Sequence, residues 1–179
     1  MNILDGKKIS NDIKDEITEA VAQMKTNGEK TPHLAAVIVG EDGASLTYVG
    51  SKVRACARVG FESTLVQLPA DITEVDLLAK IQELNADDEI DGFIVQLPLP
   101  SHIDTQKVLL AVDPKKDVDG FHPENFGKLA LDMETFIPAT PYGIMELLRR
   151  YDINTSGKHT VVIGRSHIVG RPISILMSR

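Results

Sequence analysis

Residues 92–98, Gly-Phe-Ile-Val-Gln-Leu-Pro, decide how this chain is read. Four residues without a polar side chain precede a glutamine, and a proline closes the run. The pattern predicts a strand over 92–97, buried on both faces and stopped by proline. Working outward, HLAAVIVG (33–40) is a second short apolar run, closed by glycine. FESTLVQ (61–67) alternates instead, with Glu62 and Thr64 on one side, as an edge or half-covered strand does. The continuous GFIV run therefore reads as the central strand. Val-Gln-Leu-Pro occurs twice, at 66–69 and 95–98. The two copies differ in strand pattern and in the residues after the proline, so they are not halves of a repeat. In open parallel sheets ligands bind beyond the carboxyl ends of strands. That makes Gln96 the site candidate and Gln67 a peripheral strand-end residue.

Helical patterns separate these strands. Ser10-Asn11-Asp12 offers caps for a helix carrying Ile13, Ile17, Val21 and Met24, with Gly28 as its stop. Ala44 to Val59 reads as a helix buried along Val49, Val53 and Cys56, with Gly60 after it. Thr73 to Asp76 resembles a capping box, continued by Val75, Leu78, Ile81 and Leu84. Asp104 caps a helix reaching about Val112. Strands alternating with helices predict an α/β fold, a three-layer domain around a parallel sheet. Thr140-Pro141 opens a later helix with Ile144, Leu147, Leu148 and Tyr151 on one face. After a turn-rich break at 154–157, TVVIG (160–164) predicts a strand, RSHIVGRP a loop and ISILM a helix. This is the first βα unit of a Rossmann-type domain. The reading divides the chain into a catalytic domain (1–139), a connecting helix and turn (140–155) and an incomplete cofactor domain (156–179).

Composition narrows the function classes. The net charge is −7, and the 19 basic residues are scattered. Nucleic-acid binding relies on clustered Lys and Arg, so none is expected. No run approaches 18 apolar residues and no signal-peptide core opens the chain, so no membrane partner and a cytoplasmic location are expected. Cys56 is the single cysteine. It has no partner for an intramolecular disulfide, and no cysteine-based zinc spacing exists.

Three constellations carry possible chemistry. Tyr48 and Lys52 stand four residues apart on one helical face. They are either a phenol and an ammonium aimed into one cleft, or a surface pair packed along the lysine stem. Tyr-x-x-x-Lys also occurs in short-chain dehydrogenases, but there it comes after a largely complete dinucleotide fold. Gly164-Arg165-Ser166 begins a G-x-S-x-x-x-G pattern between a strand and a helix. It reads as a phosphate-binding turn, with Ser166 on phosphate or ribose and Arg165 on the extra phosphate of NADP, or as a tight βα turn alone. The second glycine falls two positions late for a nucleophile elbow. Asp117 to Pro123, DVDGFHP, holds two carboxylates and an imidazole. A metal site and a loop with Asp119 beside a turn glycine both remain open on the residues; spacing is poor and no second cluster supports a metal, so none is expected. His122 reads as structural and Lys115-Lys116 as a solvated pair.

The motifs YVGSK, VQLPLP, KDVDGFHPENFGKL, TPYGIMELL and VVIGRSHIVGRP occur in one order across essentially all 179 residues. This ordered set resembles the bifunctional methylenetetrahydrofolate dehydrogenase/methenyltetrahydrofolate cyclohydrolase family. The resemblance implies oxidation of 5,10-methylenetetrahydrofolate with NADP, then hydrolysis to 10-formyltetrahydrofolate, in one-carbon metabolism that serves purine and amino-acid biosynthesis. It implies Lys52 as the catalytic lysine, Tyr48 stacking in the folate site, and Gln96 hydrogen-bonded to the lysine. Asp119 would hold the pterin, Val95 and Leu97 would flank Gln96 in the substrate wall, and Gly164, Arg165 and Ser166 would contact NADP. A homodimer is implied for the complete protein. The chain is expected to stop early in the cofactor domain, which leaves a non-catalytic folate-binding fragment as the alternative. A short-chain-type dehydrogenase is the other.

Overall fold

The computed structural model describes residues 3–179. Three strands, β1 (His33–Val39), β2 (Glu62–Leu68) and β3 (Gly92–Val95), form a parallel sheet in the order β2-β1-β3. Val37 lies opposite Val66 on one side and Val95 on the other. The helices are α1 (Gly6–Thr26), α2 (Gly43–Val59), α3 (Glu74–Ala86), α4 (Thr105–Ala111), α5 (Pro123–Ala130), α6 (Ala139–Arg150) and α7 (Gly170–Leu176). The chain forms two compact units, one of Asp12–Lys116 and one of the residues up to Asn11 with Asp117–Arg179.

The unit Asp12–Lys116 is an α/β layered fold. Strand alternation sends Ala35, Val37 and Val39 to one face, where they pack with Phe93 and Val95 against Leu77, Ile81 and Leu84 of α3 and Val108 of α4. The other face of β1 carries Ala36 and Ile38, also buried, and α2 covers it with Val49, Cys56 and Val59. Each fully buried Leu, Ile or Phe contributes about 1.5–3 kcal/mol through removal from water. In β2, Thr64, Val66 and Leu68 turn inward, while Leu65 stays 47% exposed.

β1, not β3, is the middle strand. The four residues of β3 are all buried because helices cover the sheet's faces and because the Phe93 amide donates to the Lys116 carbonyl at 2.9 Å on its own edge. Face burial, which makes a run apolar, does not tell a central strand from a covered edge.

Several boundaries also differ from the sequence reading. α1 starts at Gly6, where an Asp5 carboxylate oxygen accepts from the Lys8 amide at 2.9 Å, so Ser10-Asn11-Asp12 lie inside the helix. Buried Ile9 explains this, since it extends the Ile13, Ile17, Val21 stripe by one turn. In α3 Val75 is 74% exposed and Leu77 is fully buried, so the core stripe is Leu77, Ile81, Leu84. Thr73 does cap this helix, accepting from the Asp76 amide at 3.1 Å. α6 begins at Ala139 with no side-chain cap, which puts Thr140 in the first turn and Pro141 where no amide is needed. Lys116 is not a solvated charge: its Nζ donates to the carbonyls of Leu84 (3.0 Å) and Asp87 (2.6 Å), closing the C-terminal end of α3. TVVIG does not form a strand. It has no regular secondary structure, with Val161 71% and Ile163 99% exposed, and no strand among the described residues offers it a ladder. Strand propensity alone does not make a strand without a hydrogen-bonding neighbour.

Candidate active site

The predicted residues fall into two sets. Tyr48, Lys52, Val95, Gln96 and Leu97 belong to the unit 12–116, and Asp119, Gly164, Arg165 and Ser166 to the other.

α2 begins just past the carboxyl end of β1. Asp42 starts it by accepting from the Ser45 amide at 2.8 Å. Buried Val49 faces inward between two flanking site candidates. Tyr48 is 66% exposed and Lys52 half-buried.

Gln96 lies one residue beyond β3, yet its amide donates to the Val37 carbonyl at 2.8 Å, continuing the ladder onto β1. Val95 before it is buried and Leu97 after it half-buried; the Leu97–Pro98 peptide bond is cis. The Gln96 Nε2 donates to the Leu97 carbonyl at 2.7 Å, which fixes the amide's orientation, because the reverse would set two oxygens against each other. Gln96 Oε1 is buried and, among the described residues, is the one buried side-chain polar atom that meets no hydrogen-bond donor, so the expected bond from Lys52 is not formed in this structure. Such an acceptor costs about 1–3 kcal/mol unless water or a ligand supplies the donor, which marks Gln96 as the polar group at this strand end that needs explaining. Gln67, in contrast, is exposed on β2.

The DVDG segment is a tight turn. The buried Asp117 carboxylate accepts from the His122 amide (2.8 Å) and from Asn125 Nδ2 (2.9 Å). The Gly120 amide donates back to the Asp117 carbonyl at 3.2 Å. Gly120 has φ +67°, and a Cβ there would lie 2.8 Å from the Phe136 carbonyl oxygen and 2.9 Å from the Pro138 nitrogen, so only glycine fits. Asp119, half-buried, stands between these fixed points. His122 is the N-cap of α5, its Nδ1 accepting from the Glu124 amide at 3.1 Å. Asp117 and His122 are thus committed to the turn, and no group of three His, Cys, Asp or Glu among the described residues is arranged to hold a metal ion.

At the third motif the Ser166 hydroxyl accepts from the amides of Val169 and Gly170, both at 3.1 Å. A Cβ on Gly170 would fall 2.5 Å from the Gly164 carbonyl carbon and 2.6 Å from the Arg165 nitrogen. Gly170 is therefore the close-packing glycine that brings a helix onto the preceding segment in dinucleotide folds. Arg165 is exposed, and no Asp or Glu comes after Asp152 in the sequence. Backbone packing and charge both suit an anionic cofactor such as NADP.

Sequence reasoning missed Asn125, Thr135 and the structural work of Asp117. One signal was available. Asparagine is a poor residue inside a helix unless its amide has a task, and Asn125 sits in α5. A groove of about 540 Å³, lined by Leu78, Gln82, Asp104, Gln106, Lys107, Leu110 and Ala111, contains none of the predicted residues.

Comparison with known proteins matches two family regions in order, and the first of them takes in Asp119. The family model for the catalytic domain of tetrahydrofolate dehydrogenase/cyclohydrolase matches residues 4–119, and that for its NAD(P)-binding domain matches 138–179. The chain is 74% identical over all 179 residues to the bifunctional protein FolD of Flavobacterium psychrophilum, covering 61% of that relative. It is also 74% identical over its whole length to the FolD protein of Christiangramia forsetii, covering 60% of it. It is similar in structure to the bifunctional FolD enzyme of Campylobacter jejuni (TM-score 0.96, 46% identity, 99% of this chain and 63% of that one). It is also similar to the Trypanosoma brucei enzyme complexed with NADP cofactor and inhibitor (TM-score 0.93, 36% identity, 99% and 61%). The chain spans about three fifths of the length of the curated relatives it matches. With two family models matched in order and 74% identity to a FolD protein along its whole length, the chain belongs to the tetrahydrofolate dehydrogenase/cyclohydrolase family.

Proposed function

We propose that this chain carries the folate-binding catalytic part, and the opening of the cofactor part, of an enzyme that oxidises 5,10-methylenetetrahydrofolate with NADP and hydrolyses the methenyl product to 10-formyltetrahydrofolate. The observation that supports the reading is the buried Gln96 Oε1 at the end of β3, which meets no donor among the described residues. Lys52 is the proposed donor to it. Oxidation leaves a cationic methenyl carbon, beside which a bare ammonium is repulsive. A neutral amide orients the lysine without stabilising its charge, as a carboxylate would. Lys52, so held, is the group that exchanges a proton with the water opening the methenyl ring. Tyr48 presents an exposed ring for stacking, Val95 and Leu97 wall the substrate, and Asp119 accepts from the donor-rich edge of the pterin. NADP, when bound, supplies the hydride acceptor. Gly164, Arg165 and Ser166 are its proposed contacts, Arg165 toward phosphate. The division at 139 and 156, a homodimer, a cytoplasmic location and the lack of a nucleic-acid partner belong to the same proposal.

The test is NADP reduction dependent on 5,10-methylenetetrahydrofolate, and then decay of the methenyl absorbance. Lys52→Met should abolish the second phase; full cyclohydrolase activity in that variant would overturn the assignment. One observation favours a second reading, folate binding without NADP reduction by these 179 residues: the segment before the cofactor turn is exposed and unpaired. Tetrahydrofolate binding with no NADP reduction would select it.

A further inference from the structure

The turn that carries Asp119 is held at both ends, and one side chain joins the two holds. Its first end, Asp117, is fixed from α5 through the His122 amide and Asn125 Nδ2. Its second end, Gly120, lies so close to the 136–138 backbone that no side chain fits between. Asn125 is only 2% exposed. While its Nδ2 donates to Asp117, its Oδ1 accepts from the Thr135 hydroxyl at 2.9 Å, one residue before Phe136. The same amide therefore ties the first hold to the second. Only Val118 and Asp119 lie between the fixed residues. An error in either anchor passes directly to the Asp119 carboxylate, because two residues have no slack to absorb it.

We propose that Asn125 is a positioning residue: by clasping Asp117 and Thr135 it sets where the Asp119 carboxylate stands, and so the affinity for the pterin. The proposal rests on the reading of Asp119 as the pterin-holding group. Burial makes the role demanding. An asparagine amide inside the protein must satisfy both its donor and its acceptor, and here each is directed at a different anchor. Asparagine is also the side chain that fits: aspartate would set a second carboxylate against Asp117, and leucine, of similar size, would offer neither bond.

The experiment measures tetrahydrofolate binding by calorimetry on the 179-residue chain and amide exchange of Gly120 and His122 by NMR. Asn125→Leu should weaken binding about tenfold and speed exchange at both amides while β1 amides keep their protection. Thr135→Val, which cuts one tie only, should weaken binding about threefold, and it carries the test if Asn125→Leu does not fold. In an Asp119→Asn background, Asn125→Leu should weaken binding no further, because its effect runs through the lost carboxylate. A general loss of structure would multiply the two effects instead, and that result overturns the proposal. So does wild-type affinity in Asn125→Leu when Asp119→Asn binds weakly. Unchanged affinity in Asp119→Asn overturns the reading beneath it.

Discussion

At Gln96 stability and function pull apart. Its Nε2 contributes one hydrogen bond, and its Oε1 is buried and meets no donor among the described residues. Replacing it by methionine, of similar length, removes an orphan worth about 1–3 kcal/mol against a neutral hydrogen bond worth about 1. Gln96→Met should therefore melt at or above the wild-type temperature while the proposed cyclohydrolase turnover falls about a hundredfold. Thermal denaturation and methenyl decay on one preparation check this; a large loss of stability would mean that Oε1 has a structural partner. Gly120 behaves in the opposite way. Gly120→Ala forces a Cβ into the Phe136 carbonyl at a positive φ, and should cost about 2–4 kcal/mol in urea denaturation. The sequence announced both positions, but differently. Glycine after two aspartates is a visible turn signal. Gln96 stood out by its place at a strand's carboxyl end, by the VQLPLP motif and by contrast with Gln67 on a poorer strand.

The elements were legible where periodicity was long and hidden where a distant residue closed them. The α3 helix was readable from Thr73 and its apolar repeat, though the stripe slipped from Val75 to Leu77, because a capping residue fixes a helix start but not its rotation. Its far end was unreadable, since Lys116, some thirty residues on, supplies the donors. Lys116→Met should cost about 1 kcal/mol and fray the last turn of α3, seen as faster exchange near Ala86. In α6, Arg149 and then Arg150 donate to Glu146 and pull its carboxyl down to about 2. A depressed carboxyl stabilises above its unfolded value, near 4.5, and that contribution is lost as pH falls toward 2. Glu146→Gln should remove this acid-dependent part, on the order of 1 kcal/mol, and flatten melting temperature against pH below about 4.5. A slope unchanged by the substitution would show that the pair adds nothing.

Across the whole chain, the α/β class and the parallel sheet were legible from three apolar runs separated by helical patterns. Strand order was not, because a run such as GFIV records only how its faces are covered. The segment 160–164 shows the same limit, since its β-branched residues met no neighbour. Of the candidate site, the residues were visible as an ordered set of motifs, while the clasp around Asp119 depends on contacts made after folding. The chain also has no tryptophan and three tyrosines, Tyr48, Tyr142 and Tyr151. Tyr151 accepts from the Asp5 amide through its hydroxyl. Tyr48 stands largely in solvent on α2. With no indole to drain its excitation, this ring is an intrinsic fluorescent reporter placed at the proposed pterin stack. Ligand arrival can be monitored as quenched tyrosine emission without a dye, and Tyr48→Phe supplies the blank.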